Sequence, residues 1–138
     1  MNVSIQKTAP GLFSAAGTGT GVAAATAVLM VIPSSVQTPV PVFQCDQAGN
    51  CVALPIALGV DTPIYVSLFG TGIRNASSVT VKIGNTDAQP TYAGPQGQYP
   101  GLDQVNLPLS LDLRGSGLVN VTVTADGVAS NAVQLNIQ

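Results

Sequence analysis

The chain contains no histidine, no tryptophan and no glutamate, and only 7% of its residues are charged, against about 25% in ordinary soluble domains. Each absence excludes something. Without histidine there is no Ser-His-Asp or Cys-His machinery. With two cysteines and no histidine, the four N or S donors of a zinc site cannot be gathered. The cations are Lys7, Arg74, Lys82 and Arg114, too few and too scattered to displace counterions from nucleic acid or to hold an anionic membrane surface. The anions are all aspartates, at 46, 61, 87, 103, 112 and 126, and the net charge is −2. They sit apart, so no paired carboxylates for glycoside chemistry and no Asp-x-Asp calcium spacing emerge. No cofactor is implied.

What is present is apolar and polar-neutral. Hydrophobic residues make up 46% of 138 residues, enough for one domain with a core. The surface is left to hydroxyls and amides, and weak mutual repulsion between copies makes self-association easier. The most apolar stretch, "GVAAATAVLMVIP" (21–33), is too short for a membrane helix, is β-branched toward its end and closes on proline. It reads as a buried strand near 22–32. "NVSIQKT" (2–8) alternates and is no secretory h-region, so an exported protein is expected to be shown here as its mature form or as an excised domain.

Periodicity is two almost throughout. Val3 and Ile5; Ile64, Val66 and Leu68; Val79, Val81 and Ile83; Val119, Val121 and Val123; and Val133, Leu135 and Ile137 each line one face of a half-buried strand. "FGTG" (69–72), "IGNTD" (83–87), "LRGSG" (113–117) and "ADG" (125–127) mark reversals, the last predicting a terminal antiparallel hairpin. "APGLFSAAGTGTG" (9–21) reads as a loop and "PSSVQTPVP" (33–41) as an extended crossover. The spacing predicts an all-β antiparallel β-sandwich, a single domain over 1–138.

Cys45 and Cys51 flank "DQAGN", a turn between two strand-like runs, with five residues between them. A redox pair would show Cys-x-x-Cys at a helix start. A disulfide across a hairpin fits, and implies an oxidising compartment. Asp46 and Asn50 could present oxygens to a cation, but a turn accounts for both. "GTGTG" (17–21) lacks the lysine and helix start of a phosphate loop. A Ser-Lys pair could draw on Lys7 or Lys82 and an isopeptide bond needs a buried lysine beside a protonated carboxyl, but Lys82 falls on a wet strand face. "YAGPQGQYPGLDQVN" (92–106) is the most individual segment. Tyr92, Gln96, Gln98, Tyr99 and Asp103 are its candidate ligand residues, and tyrosine with amides suits carbohydrate; as a plain connection, the segment is a crossover pinned by its prolines.

"SLFGTGI", "SVTVKIG", "DQVNLPLSL" and "GLVNVTVTADGVASNAVQLNI" resemble an IPT/TIG-type immunoglobulin-like domain, the pattern being clearest over 63–138. With "APGLF", "CDQAGNCVALPI", "LFGTGIRN", "YAGPQGQYPGLDQVN" and "DGVASNAVQLNI", nearly the whole chain is similar to an uncharacterised C-terminal domain of large secreted acidobacterial proteins. The resemblance implies a secreted or cell-surface bacterial β-sandwich with no catalytic residues. It departs from that pattern in "AVLMVIPSSVQTPVPVF", which carries no charge before the first cysteine. Val28, Leu29, Met30, Val31 and Ile32 run consecutively there, so both faces of the strand need cover, from 36–43 or from another protein surface. The expectation is a non-enzymatic extracellular module with a structural or adhesive role. Two further readings are a subunit of a self-assembled polymer, built through residues 2–6 or the 27–43 face, and a carbohydrate-binding accessory. Protein partners or self-association are expected; nucleic acid and membrane insertion are not.

Overall fold

Alternation gives each sheet one apolar face that must be buried against another layer, and here two sheets face each other over a shared core. The computed structural model describes residues 9–31 and 36–138. The strand expected over 2–6, Lys7 and Ile32 lie outside the described residues.

The first sheet holds β1 (Gly11–Leu12), β2 (Ala25–Val31), β3 (Val36–Val40), β7 (Ile64–Thr71), β10 (Tyr92–Pro95) and β11 (Asp103–Pro108) in the order β10-β11-β7-β2-β3, with β1 also on β7. The second holds β6 (Pro55–Ile56), β8 (Val79–Ile83), β9 (Thr86–Ala88), β12 (Gly117–Ala125), β13 (Val128–Ala129) and β14 (Val133–Ile137) in the order β6-β14-β12-β8-β9, with β13 also on β12. A separate hairpin joins β4 (Phe43–Cys45) to β5 (Cys51–Ala53). All these strand pairs are antiparallel except β6 with β14. Ile64, Val66 and Leu68 of one sheet and Val121, Val123, Val133, Leu135 and Ile137 of the other are buried in one shared core. The fold is therefore the all-β antiparallel sandwich that the alternation predicts. The terminal hairpin forms too, with Asp126 at φ 49° and Gly127 at φ 83° in its turn.

Four local readings are corrected. The strand near 22–32 is two features: β2 pairs with β7, while Ala23 N–H donates to the Gln134 carbonyl of the opposite sheet at 2.9 Å. Residues 14–23 thus leave one sheet, touch the other and return. Residues 36–40 do not cross over; they form β3 beside β2 in the same sheet, so they do not lie over its outer face. Residues 92–106 are likewise no crossover but the β10–β11 hairpin. Finally, β7 runs through "FGT", and only Gly72 (φ 73°) takes the turn conformation. Gly70 serves another need: a Cβ there would run into the Gly11 carbonyl oxygen, so its missing side chain lets β1 dock on β7.

The glycine-rich loop is held by two side chains that sequence reasoning passed over. The buried Ser14 hydroxyl accepts from Thr18 N–H at 3.0 Å and from Gly19 N–H at 2.9 Å. Asn131 Oδ1 accepts from Leu12 N–H at 2.7 Å, and its Nδ2 donates to the carbonyls of Leu12 (2.9 Å) and Gly19 (2.7 Å). Two N–H groups that a phosphate loop would turn toward an anion are spent on Ser14.

Candidate functional site

The cysteines are bonded. Cys45 and Cys51 sit directly opposite each other in the β4–β5 register, with S–S 2.03 Å and Cα–Cα 4.0 Å. Both thiols are therefore consumed, and no free cysteine remains among the described residues. Closing so short a loop stabilises by about 2 kcal/mol in the chain-entropy model. Asp46 makes the turn beneath it: Oδ1 accepts from Asn50 N–H at 2.9 Å and from Ala48 N–H at 3.0 Å. Asn50 Nδ2 adds a contact to Oδ2 at 3.3 Å. These oxygens are occupied by the turn's own donors, and no cluster of three metal-ligating His, Cys, Asp or Glu side chains occurs among the described residues.

The Asn50 backbone N–H, ahead of the other donors, holds the Asp46 carboxyl below its ordinary value of 3.8. A depressed folded-state pKa contributes stability that is full above the unfolded value and lost as pH falls through the folded one. The turn should therefore tighten above pH 3.8 and loosen only below it. Carboxyl-detected NMR titration should give Asp46 a midpoint below 3.8; a midpoint at or above that value would contradict the turn geometry.

The five candidate ligand residues of 92–106 are mostly turned to internal work. The Tyr92 hydroxyl donates to the Pro95 carbonyl, which lays the ring over Gly94 on its own strand. Gln96 Oε1 accepts from Gln98 N–H at 2.7 Å and Tyr99 N–H at 3.2 Å, and its Nε2 reaches Gln98 Oε1 at 3.2 Å, closing the hairpin tip. Tyr99 stands out at that tip, 66% exposed. Asp103 is not on the loop surface. It is 1% exposed, with Oδ2 accepting from Ile73 N–H at 2.8 Å and Arg74 N–H at 3.1 Å, and Oδ1 paired with Arg74 Nε at 2.6 Å. Its carboxylate ties the end of β11 to the segment after β7.

The uncharged β2 strand divides by face. Ala25 and Ala27 are buried in the core and Leu29 packs against it, while Val28 and Met30 lie half-buried on the outer face and Val31 is exposed at the strand end. Leu29→Lys is therefore expected to destabilise by about 2 kcal/mol, since a charge would enter the core margin. Met30→Lys should stay within about 0.5 kcal/mol of the parent, because a lysine stem can lie where methionine lay and carry its head to water. Urea unfolding of the two variants checks the assignment; the reverse order would invert the faces.

The sheet edges are guarded by proline. Met30 N–H donates to Pro63 O at 2.9 Å, so Val28 and Met30 bond toward β7 and Ala27, Leu29 and Val31 toward β3. In β3 that turns Val36, Thr38 and Val40 inward and leaves Gln37 and Pro39 on the free edge. On the other edge, Gln96 N–H donates to Leu102 O at 2.9 Å, which by the same alternation puts Pro95 outward. A proline offers no N–H to an added strand. In the second sheet, edge strands β6 and β9 are only 2 and 3 residues long.

No helix among the described residues is long and apolar enough to cross a membrane. No protein-family model, curated protein or solved structure matches the chain.

Proposed function

We propose that this chain is a non-catalytic extracellular module of the immunoglobulin-like, IPT/TIG-related kind, with a structural or adhesive role within a larger secreted bacterial protein. The observation that carries the extracellular part is the Cys45–Cys51 disulfide on an exposed hairpin, a bond that persists in oxidising compartments and is reduced in most cytosols. The non-catalytic part is supported by what the polar side chains do. Asp103 is buried against Arg74, Asp46 caps a turn, Asp126 accepts from Ser77 and Ser78 N–H at 2.9 Å each, and Ser14 closes a loop. Each is engaged in holding backbone rather than aimed at a common point, which is how a scaffold spends its polar groups. The prolines on both edges of the first sheet support a discrete module over a polymer built by strand addition.

The test is an assay of the folded domain against ester, glycoside and peptide substrates. The reading expects no turnover above the buffer. Turnover that tracks the folded domain through repeated chromatography, and disappears when it is unfolded, would refute it.

A further inference from the structure

The outer face of the first sheet combines a polar ladder, an aromatic margin and no charge. Register fixes the face: Tyr92 lies opposite Asn106, Asn106 opposite Ser67, and Ser67 opposite Thr26, while Val66 and Leu68 on either side of Ser67 point into the core. Directly opposed residues share a face. By the same pairing Tyr65 and Val28 form the next row, Met30 and Gln37 lie beyond it, and Gln104 sits beside Phe69. Three of the six aromatics of the chain, Tyr65, Phe69 and Tyr92, thus lie on one sheet face.

At its centre the side chains orient one another. Asn106 Oδ1 accepts from Ser67 Oγ and from Gln104 Nε2, both at 2.7 Å. Both acceptor positions of that oxygen are filled, which fixes the amide and leaves Asn106 Nδ2 as a directed donor. Gln104 Oε1 is left as an acceptor and the Tyr65 hydroxyl as either; none of the three has a partner among the described residues. Beside them is a depression of about 230 Å³ whose lining includes Val28, Met30, Tyr65 and Asn106.

We propose that this face binds a neutral glycan, one sugar ring seated in the depression and the chain running across the strands. The inference rests on the adhesive-module reading and names its ligand class. A sugar presents an apolar C–H face and a rim of hydroxyls that both donate and accept. Tyr65, Val28 and Met30 meet the first need, and Asn106 Nδ2, Gln104 Oε1 and the Tyr65 hydroxyl meet the second. The lining carries no charge to pair with a phosphate, a sulfate or a uronic acid, and desolvating an unpaired charge there would be costly. The glycan therefore sits on the sheet, and not on the 96–102 tip, where Gln96 closes the turn on Gln98 and Tyr99.

The experiment is retention of the purified 138-residue protein on insoluble cellulose, xylan, mannan and chitin and in soluble-starch affinity gels, with alginate as the charged comparator. Saturable retention on at least one neutral polymer is expected. Tyr65→Ala and Asn106→Ala should each weaken it at least about tenfold, and Lys82→Ala, on a different sheet, should leave it unchanged. Thr26→Lys leaves the Ser67–Asn106–Gln104 hydrogen bonds in place and puts a charge on the depression's lining, so it should weaken binding with melting unaltered even if Asn106→Ala fails to fold. Retention on none of the neutral polymers, retention on alginate alone, or retention indifferent to Tyr65→Ala and Thr26→Lys would overturn the proposal. So would light scattering that shows dimers dissolved by Tyr65→Ala, which would make a second copy the occupant. Each of these outcomes leaves the non-catalytic reading standing, since that falls only to turnover.

Discussion

Asp103→Ala should lower unfolding free energy by about 3 kcal/mol. The carboxylate is 1% exposed and serves three donors, the N–H groups of Ile73 and Arg74 and the Arg74 guanidinium. Ile73 is itself buried, so its N–H would lose its acceptor without gaining water. Arg74 has a side-chain exposure of 36% and can turn to solvent, so the ion pair itself is discounted. Most of the loss comes from orphaned backbone. Asp103→Asn separates the two contributions. Its carbonyl oxygen can still accept from both N–H groups, while its amide faces the Arg74 Nε donor, so the cost should fall to about half. Urea unfolding monitored by tyrosine fluorescence measures both. Equal losses for Ala and Asn would mean that the ion pair, not the backbone, dominates.

Gly70→Val is the other large effect, also about 3 kcal/mol. The new side chain would meet the Gly11 carbonyl and Leu12 Cα across the β1–β7 pair, and backbone cannot rotate out of the way. The expected result is a folded but weakened sandwich with β1 displaced, visible as faster amide exchange at Phe13, whose N–H donates to Phe69 O at 2.9 Å. Gly127→Ala is the comparison. Its φ of 83° disfavours any side chain, but nothing lies within 4 Å of the added Cβ. It should cost only about 1 kcal/mol. If Gly70→Val were no worse than Gly127→Ala, close approach would not be the reason for Gly70.

These two residues also mark where the sequence stops being legible. Alternation over 64–68, 79–83, 119–123 and 133–137 predicts both the strands and their buried faces, because a one-residue slip would turn every apolar side chain to water. The Cys-turn-Cys spacing predicts the staple for an equally local reason. What fails are statements about partners distant in the chain. "FGTG" looks like a turn because glycine serves turns and close approaches alike, and only the position of Gly11 distinguishes them. Residues 33–41 look like a crossover because three prolines disfavour a central strand, yet Pro39 is acceptable in β3 where its nitrogen faces the free edge. Asp103 looks like a loop ligand because it follows "PGL"; its burial depends on Arg74, 29 positions earlier. The ladder on the outer sheet face was hidden for the same reason. Ser67 and Asn106 are 39 positions apart and each reads alone as an ordinary wet-face residue. Asn131 carried no local signal at all, since its bonds to Leu12 and Gly19 join opposite ends of the chain.

The central claim is that this sandwich is a module of an oxidising, extracellular setting. Its most direct test is intact-mass measurement of the protein recovered from its native host without reductant and alkylated under denaturing conditions. The account predicts no label, Cys45 and Cys51 being joined to each other. Two labels per chain would contradict it: the hairpin would then carry free thiols in its own compartment, and the extracellular assignment would fall with the bond.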